Sequence, residues 1–151
     1  MELPADVVVL GIFVADTTYQ ADRLPHMGET LIGSNFHLSP GGKGSNQAVA
    51  SARSLAKTHI ITKLGDDNFS EMALKLWKDS GVIPEIIQEN GKSTGAAFVF
   101  LSKKTGDNAI IVCPGDAVSE ICSEFIETKK QIILNSKVFM TQLEQPLEAA
   151  M

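Results

Sequence analysis

Cysteine is scarce in this sequence of 151 residues, which contains only Cys113 and Cys122. Metal-binding and redox cysteine motifs place their thiols only a few residues apart, so this wider spacing excludes both kinds of pair motif. Without such a motif, cysteine behaves as a small apolar side chain. We therefore expect two free thiols buried in the core.

The sequence also has few basic residues and no long apolar run. The 13 Lys and Arg residues face 18 Asp and Glu residues, which gives a net charge of −5 and argues against nucleic acid or an anionic membrane as the main partner. The longest apolar run, Val7 to Ala15, is far shorter than the roughly 20 residues of a membrane helix. The start MELPAD lacks the basic residues of a secretory signal. We expect a cytoplasmic protein with no membrane segment.

The sequence does contain an alternation of strand and helix patterns. Short β-branched runs predict buried strands at 7–14, 60–64 and 137–140. Apolar stripes at helical spacing, with capping residues at the ends, predict helices at 48–56, 66–81 and 119–129. Strands that alternate with helices predict a mostly parallel sheet flanked by helices.

Two regions do not fit inside a buried parallel sheet. Segments 17–24 and 30–38 alternate apolar and polar residues around the turn PHMGE, a pattern typical of strands with one exposed face. Segment 94–115 has two apolar runs around KKTGDN, which indicates a β-hairpin. We expect these segments to form a small second sheet that projects from the first.

The stretch SPGGKGSNQAVASAR, residues 39–53, places glycines just before a helical pattern. It is not a P-loop, because His37 stands where the first glycine should be, and Gln47 breaks the dinucleotide-binding fingerprint. Gln47 therefore disfavours a nucleotide-cofactor domain of an oxidoreductase. A packing turn without a ligand is an alternative. However, Lys43 among the glycines and Asn46 in the first helical turn favour a polar ligand at the helix N-terminus.

Two carboxylates follow predicted buried strands. Asp16 follows the first strand and Glu144 follows the strand that ends near Met140. Ligands of α/β proteins bind at the carboxyl ends of parallel strands, and a carboxylate accepts hydrogen bonds from adjacent sugar hydroxyls in a fork. A turn-capping role for Asp16 and a solvated loop position for Glu144 remain the alternatives.

The other polar residues show no site pattern. His26, His37 and His59 lack the spacing of metal ligands. Asp66 and Asp67 have the positions of a helix cap and a first-turn acid. We expect no metal site in this chain.

Taken together, the motifs resemble the ribokinase-like carbohydrate kinases, also called the PfkB family. The resemblance covers the whole chain, and PGGKGSNQAVASAR is most similar to the ribokinase branch. Five segments stand in the family's order: VVVLGIFVADTTYQADRLPHMGET, PGGKGSNQAVASAR, LGDDNFSEMAL, STGAAFVFLSKKTGDNAIIV and MTQLEQPLE. One such glycine motif would be weak evidence for the family, but five motifs in the family's order are specific evidence.

The resemblance implies a fold and a function. The fold would be a three-layer α/β sandwich with a mostly parallel sheet, one domain over 1–151, and a β-sheet lid built from segments at about 17–39 and 94–113. The reaction would transfer the ATP γ-phosphoryl group to a primary hydroxyl of a pentose such as ribose, with Mg²⁺ and with K⁺ as a common activator. The lids of two subunits would pair in a homodimer. The residues implied to contact the sugar are Asp16, Gly42, Lys43, Gly44, Asn46 and Glu144.

One residue departs from the ribokinase pattern. Val14 stands where ribokinases usually have asparagine, and valine does not hydrogen-bond a hydroxyl. Loss of a hydrogen-bonding group relaxes the rejection of analogues that lack the hydroxyl. Deoxyribose, fructose or a nucleoside is therefore an alternative to ribose.

The end of the sequence is the second departure. The helical pattern that begins at Pro146 stops after little more than one turn, and the family's G-A-G-D motif, which carries the catalytic base, does not occur in this chain. We expect the N-terminal, sugar-binding half of a kinase that is inactive alone. A non-catalytic sugar-binding or dimerising module is the alternative.

Overall fold

The computed structural model describes residues 4–151, which form two four-stranded sheets and four α-helices. The strands are β1 (Val7–Leu10), β2 (Val14–Ala21), β3 (Asn35–Gly41), β4 (Thr58–Gly65), β5 (Ile83–Glu89), β6 (Gly95–Ser102), β7 (Asn108–Cys113) and β8 (Val138–Thr141). The helices are α1 (Lys43–Arg53), α2 (Asn68–Ser80), α3 (Ser123–Thr128) and α4 (Lys130–Leu134), with 3₁₀ turns at Asp116–Glu120 and Leu147–Ala149.

The first sheet, which we call the scaffold sheet, is entirely parallel with the order β5-β4-β1-β8. Alternate residues of its strands point to opposite faces. On one face Val9 packs in a cluster with Trp77 of α2, and on the other face Leu10 packs in a cluster with Phe125 of α3. Helices therefore cover both faces. The parallel sheet flanked by helices, which the alternating patterns predict, is confirmed, as is the three-layer α/β sandwich that the resemblance implies.

The second sheet, which we call the projecting sheet, has the order β3-β2-β6-β7. β2 runs parallel to β6, whereas β3 and β7 run antiparallel at the two edges. The hairpin expected within 94–115 is present as β6 and β7. The strand expected at 30–38 begins only at Asn35.

The strand expected at 7–14 is in fact two strands in different sheets. β1 ends at Leu10 and β2 begins at Val14, and the link between them is buried. A Cβ built on Gly11 would lie 2.7 Å from the Cα of Gly44. The chain therefore leaves the scaffold sheet where two glycines allow its backbone to touch the start of α1.

α2 matches its predicted start and stop. The Asp67 side chain accepts a hydrogen bond from the Ser70 backbone N–H at 2.9 Å, and Gly81 ends the helix with φ of 76°. α1 is shorter than its apolar stripe, because Leu55 lies beyond the helix with φ of 70° and is 94% exposed. The helix expected at 119–129 is interrupted between the 3₁₀ turn at 116–120 and α3.

The expectation of two buried thiols was wrong for Cys113. Both cysteines are free, but Cys113 is exposed at the end of the edge strand β7, and Cys122 is half-buried. Within residues 4–151, no helix is long and apolar enough to cross a membrane.

Candidate functional site

A cavity of about 210 Å³ lies between the projecting sheet and the start of α1. Five of the six predicted contact residues line it: Asp16, Gly42, Lys43, Asn46 and Glu144. Its remaining wall is apolar and consists of Val14, Ala97, Val99, Ile110 and Val112. The cavity therefore has hydrogen-bonding groups on one side and an apolar surface on the other.

Asp16 lies in the projecting sheet rather than at the end of a scaffold strand. It is the third residue of β2, opposite Ser39 and Ala97 on the neighbouring strands. Its placement at the carboxyl end of a parallel-sheet strand was therefore wrong, because the break after Leu10 moves this segment into the other sheet.

The Asp16 carboxylate is partly buried and can accept hydrogen bonds from a ligand. Burial raises the pKa of Asp16 above its usual value of 3.8, because a charged group loses hydration when it is covered. Among residues 4–151, no hydrogen bond or ion pair to this carboxylate is present. Its oxygen atoms are thus available to a ligand in the cavity.

The start of α1 needs glycine at position 42. Gly42 has φ of 86°, and a Cβ there would lie 2.6 Å from the Ile12 carbonyl oxygen. The Asn46 N–H donates to the Gly42 carbonyl at 2.9 Å, and the Ser45 N–H donates to Ile12 at 3.2 Å. These bonds place the Lys43 and Asn46 side chains beside the cavity.

The first turn of α1 is also held from the core. The indole N–H of Trp77 donates to the Ser45 hydroxyl at 2.9 Å, and both residues are fully buried. The Trp77 ring meets Phe13 edge-on, with ring centroids 6.1 Å apart. Trp77 therefore lies in the core, and its hydrogen bond to Ser45 links the core to the site.

Glu144 reaches the same cavity from the segment after β8. Its Oε1 forms an ion pair with Lys43 Nζ, whereas its Oε2 is buried and has no hydrogen-bond partner in the described chain. The preceding residue, Leu143, has φ of 60°, a left-handed conformation that bulky side chains rarely adopt. This turn directs Glu144 toward Lys43 and leaves one carboxylate oxygen available.

Gly44 is the predicted contact residue that does not line the cavity. Its Cα packs against Gly11, and a Cβ on Gly44 would lie 2.9 Å from the Ile12 backbone nitrogen. Its place in the structure is a backbone contact beneath the site.

Sequence reasoning missed four members of the apolar wall, namely Ala97, Val99, Ile110 and Val112. They alternate along β6 and β7, so they share one face of the hairpin. The hairpin pattern was visible in the sequence, but the face that meets the site depends on how the two sheets are arranged.

The other candidate residues lie elsewhere. His26 and His37 are exposed, and His59 is buried in the scaffold sheet with Nδ1 3.1 Å from Glu85 Oε1. Across residues 4–151, no group of three or more His, Cys, Asp or Glu side chains could hold a metal ion.

Comparison with known proteins identifies the family. The chain matches the pfkB family carbohydrate kinases over residues 4–146. It is 36% identical to a ribokinase of Lactococcus lactis and 30% identical to a deoxyribokinase of Salmonella typhi. The alignments cover 94% and 95% of this chain, but 47% and 46% of those relatives. The chain thus spans about half the length of the curated relatives it matches.

A solved structure gives the same result for the fold. The Arabidopsis thaliana ribokinase complexed with ribose and ATP is 30% identical and superposes with a TM-score of 0.84. The superposition covers 95% of this chain and 47% of that one. The parallel scaffold sheet and the additional projecting sheet are therefore the ribokinase-like fold. The chain belongs to the pfkB family of carbohydrate kinases.

Proposed function

We propose that this chain is the sugar-binding part of a ribokinase-type enzyme that transfers the ATP γ-phosphoryl group to a primary hydroxyl of a pentose. The observation that carries this proposal is the cavity in which Asp16, Lys43, Asn46 and Glu144 meet. A sugar has several adjacent hydroxyls, each of which both donates and accepts hydrogen bonds, and these four side chains supply both acceptors and donors.

The site residues bind and orient the sugar in this proposal. The carboxylates of Asp16 and Glu144 accept from hydroxyls, whereas Lys43 and Asn46 donate to them. The apolar wall packs against the C–H face of the sugar and excludes water, which strengthens the hydrogen bonds on the opposite side. Charged hydrogen bonds of this kind contribute about 1.5–3 kcal/mol each.

In the reaction, the sugar hydroxyl oxygen forms a bond to the γ-phosphorus, and the bond from that phosphorus to ADP breaks. The hydroxyl proton leaves to a base that we do not assign within this sequence. Phosphoryl transfer depends on positioning and on charge stabilisation, and the residues described here provide the positioning of the acceptor. We expect the 151-residue chain alone to release no ADP above background.

ATP is proposed as the phosphoryl donor because the Arabidopsis relative is described as a complex with ribose and ATP. Mg²⁺ would accompany ATP, and K⁺ would be an activator, but no residue of this chain is assigned to either ion. We propose the cytoplasm, where ATP and free pentoses are both present, as its location.

A deoxypentose is a second candidate substrate because of Val14. This side chain lines the cavity beside Asp16 and is 4% exposed. A hydroxyl directed at valine would lose its hydrogen bond to water without a replacement. Val14 therefore favours a sugar with an apolar edge at this position, and a Val14→Asn variant should shift the preference toward ribose.

Calorimetry on the 151-residue chain tests the proposed function. Ribose, 2-deoxyribose, fructose and adenosine are titrated into wild type and into Lys43→Ala. Lys75→Ala is the control, because Lys75 is exposed and pairs with Asp79 on the same helix. We expect a pentose to bind wild type and Lys75→Ala, and to bind Lys43→Ala more weakly. A folded chain that binds none of the four ligands would contradict the proposal.

We also propose a homodimer formed through the projecting sheet. Its outer face, opposite Asp16, carries the aromatic cluster of Tyr19, Phe36 and Phe98, with Tyr19 centroids 5.1 and 5.5 Å from the other two rings. Tyr19 and Phe36 are 44% and 55% exposed, and contiguous exposed apolar surface marks interaction sites. Sedimentation equilibrium should give a dimer for wild type and a monomer for Phe36→Asp; a wild-type monomer would contradict this proposal.

A further inference from the structure

The residue Gln142 lies where three segments of the site meet. It follows β8 and stands two residues before Glu144. Its Oε1 lies in the notch formed by Gly11 and Gly44, where a Cβ on either glycine would contact it. Gly11 leads toward the Asp16 strand, and Gly44 belongs to the first turn of α1, so one side chain touches both supports of the site.

The amide of Gln142 also binds α1 directly. Its Nε2 donates a hydrogen bond to Oε1 of Gln47. Gln47 lies one turn along α1 from Lys43, the partner of Glu144. The segment after β8 is therefore attached to α1 at two points, by the Gln142–Gln47 hydrogen bond and by the Glu144–Lys43 ion pair.

The backbone between these two attachments is strained. Leu143 has φ of 60° and an exposed side chain, so its own packing does not explain the conformation. Non-glycine residues in this region cost of order 1–3 kcal/mol and persist when their surroundings hold them, often at functional sites. The two attachments to α1 flank Leu143 and tie this turn to the helix, and the hydrogen bond from Gln145 to Thr141 spans the same turn within the segment.

We infer that Gln142 is a positioning residue that fixes the Glu144 carboxylate relative to Lys43 and Asp16. This inference rests on the proposed sugar-binding function for its consequence, but its structural part does not. Gln142 does not line the cavity, so it acts through Glu144 and through the first turn of α1. Without it, the left-handed turn at Leu143 loses one of its two attachments, and Glu144 has more freedom to leave the pocket.

The same segment supplies a matched control. Like that of Gln142, the Oε1 atom of Gln145 is buried and has no hydrogen-bond partner within residues 4–151, and the Gln145 Nε2 donates to the Thr141 hydroxyl at 2.7 Å. Gln145→Leu therefore removes a comparable amide bond that is local to the segment. Gln142→Leu removes the bond to α1, and Gln47→Leu removes the same bond from the exposed side of α1, where a folding defect is not expected.

Two measurements on the 151-residue chain test the inference. Hydrogen exchange of the Ser45 and Asn46 amides reports local opening at the start of α1. Loss of one side-chain hydrogen bond should speed this exchange about threefold to tenfold in Gln142→Leu and Gln47→Leu, whereas Gln145→Leu should leave it unchanged. Pentose affinity should fall by a similar factor in Gln142→Leu and Gln47→Leu but not in Gln145→Leu. The unfolding midpoints of the three variants should be comparable.

The outcomes separate this inference from the proposed function. If wild type binds no pentose, the proposed function fails, and exchange at Ser45 and Asn46 still decides whether Gln142 holds α1. Equal exchange in wild type, Gln142→Leu and Gln47→Leu would overturn the inference. So would an equal loss of affinity in Gln145→Leu, because the effect would then belong to the stability of the whole segment.

Discussion

The inner strands of the scaffold sheet and the edge strands of the projecting sheet are packed in opposite ways. In the scaffold sheet, β1 and β4 are buried along almost their whole length, with helices on both faces. In the projecting sheet, β7 is exposed throughout and β3 nearly so. The inner scaffold strands therefore derive their stability from core packing, whereas the edge strands of the projecting sheet depend on strand pairing and on a few aromatic contacts.

This difference divides the candidate site into two parts. Gly42, Lys43 and Asn46 stand on α1, which is anchored in the core through Ser45 and Trp77. The apolar wall and Asp16 stand on the projecting sheet. The groups on α1 therefore keep their geometry, whereas the exposed strands of the projecting sheet can adjust around a ligand at low cost.

The largest expected effect tests the difference in packing. Ile60→Ala in β4 removes a side chain with 0% exposure and should lower the free energy of unfolding by about 3 kcal/mol. Ile111→Ala in β7 removes one with 63% exposure and should cost less than about 0.5 kcal/mol. Urea denaturation followed by Trp77 fluorescence measures both; equal losses would show that the inner scaffold strands and the projecting edge strands do not differ in packing.

The next effect separates binding from stability. Asp16→Asn should weaken pentose binding by about 2 kcal/mol, because the amide replaces a charged acceptor. Burial raises the pKa of Asp16, so the folded state holds its proton more tightly than the unfolded state, and this residue lowers stability as pH rises from its ordinary pKa through the raised one. Asp16→Asn should therefore unfold at pH 7 no more easily than wild type. Calorimetry and thermal unfolding check both parts, and a clear loss of stability would contradict the second.

A smaller effect follows from the same pKa. The ionised carboxylate is the form that accepts hydroxyl hydrogen bonds, so pentose affinity should fall as pH decreases through the raised pKa of Asp16. The decrease should reach about tenfold and should be absent in Asp16→Asn. Titrations across the acid range in which the chain stays folded measure it, and an identical pH profile in the variant would exclude Asp16 as the cause.

The smallest effect concerns the apolar wall. Val112→Ala should weaken pentose binding by about 0.5–1 kcal/mol, because part of a side chain facing the ligand is removed. Val112 is 51% exposed, so stability should change little. Ile111→Ala, its neighbour on the outer face, is the control. Equal pentose binding by Val112→Ala and Ile111→Ala would show that the apolar wall does not contact the sugar.

Much of the fold was predictable from local patterns, because the relevant residues act locally. Asp67 and Gly81 mark the ends of α2 through their own side-chain and backbone preferences. The break near Gly11 was not predictable, because Val7–Val14 is apolar on both sides of it and the break coincides with a contact to Gly44, which is distant in sequence. The interruption before α3 likewise has no signal in the helical stripe of 119–129.

The candidate site was predictable only in part, for a related reason. The motifs named Lys43, Asn46 and Glu144, and the structure brings these residues to one cavity. They did not indicate that the hairpin 95–113 supplies the facing wall, because that depends on the arrangement of the two sheets. The role of Gln142 was not predictable, because its contacts join segments that are distant in sequence.

Nuclear magnetic resonance of the ¹⁵N-labelled chain tests most directly whether the sugar binds between the two sheets. On addition of ribose or 2-deoxyribose, the amide signals of Asp16 and of residues 42–46 should shift with a common saturation curve. Ala5, which precedes β1, and His59, near the start of β4, lie at the amino-terminal edge of the scaffold sheet, and their signals should stay in place. Shifts at Ala5 and His59 without shifts at 42–46, or no shifts in a folded chain, would contradict the assignment of this cavity as the sugar site.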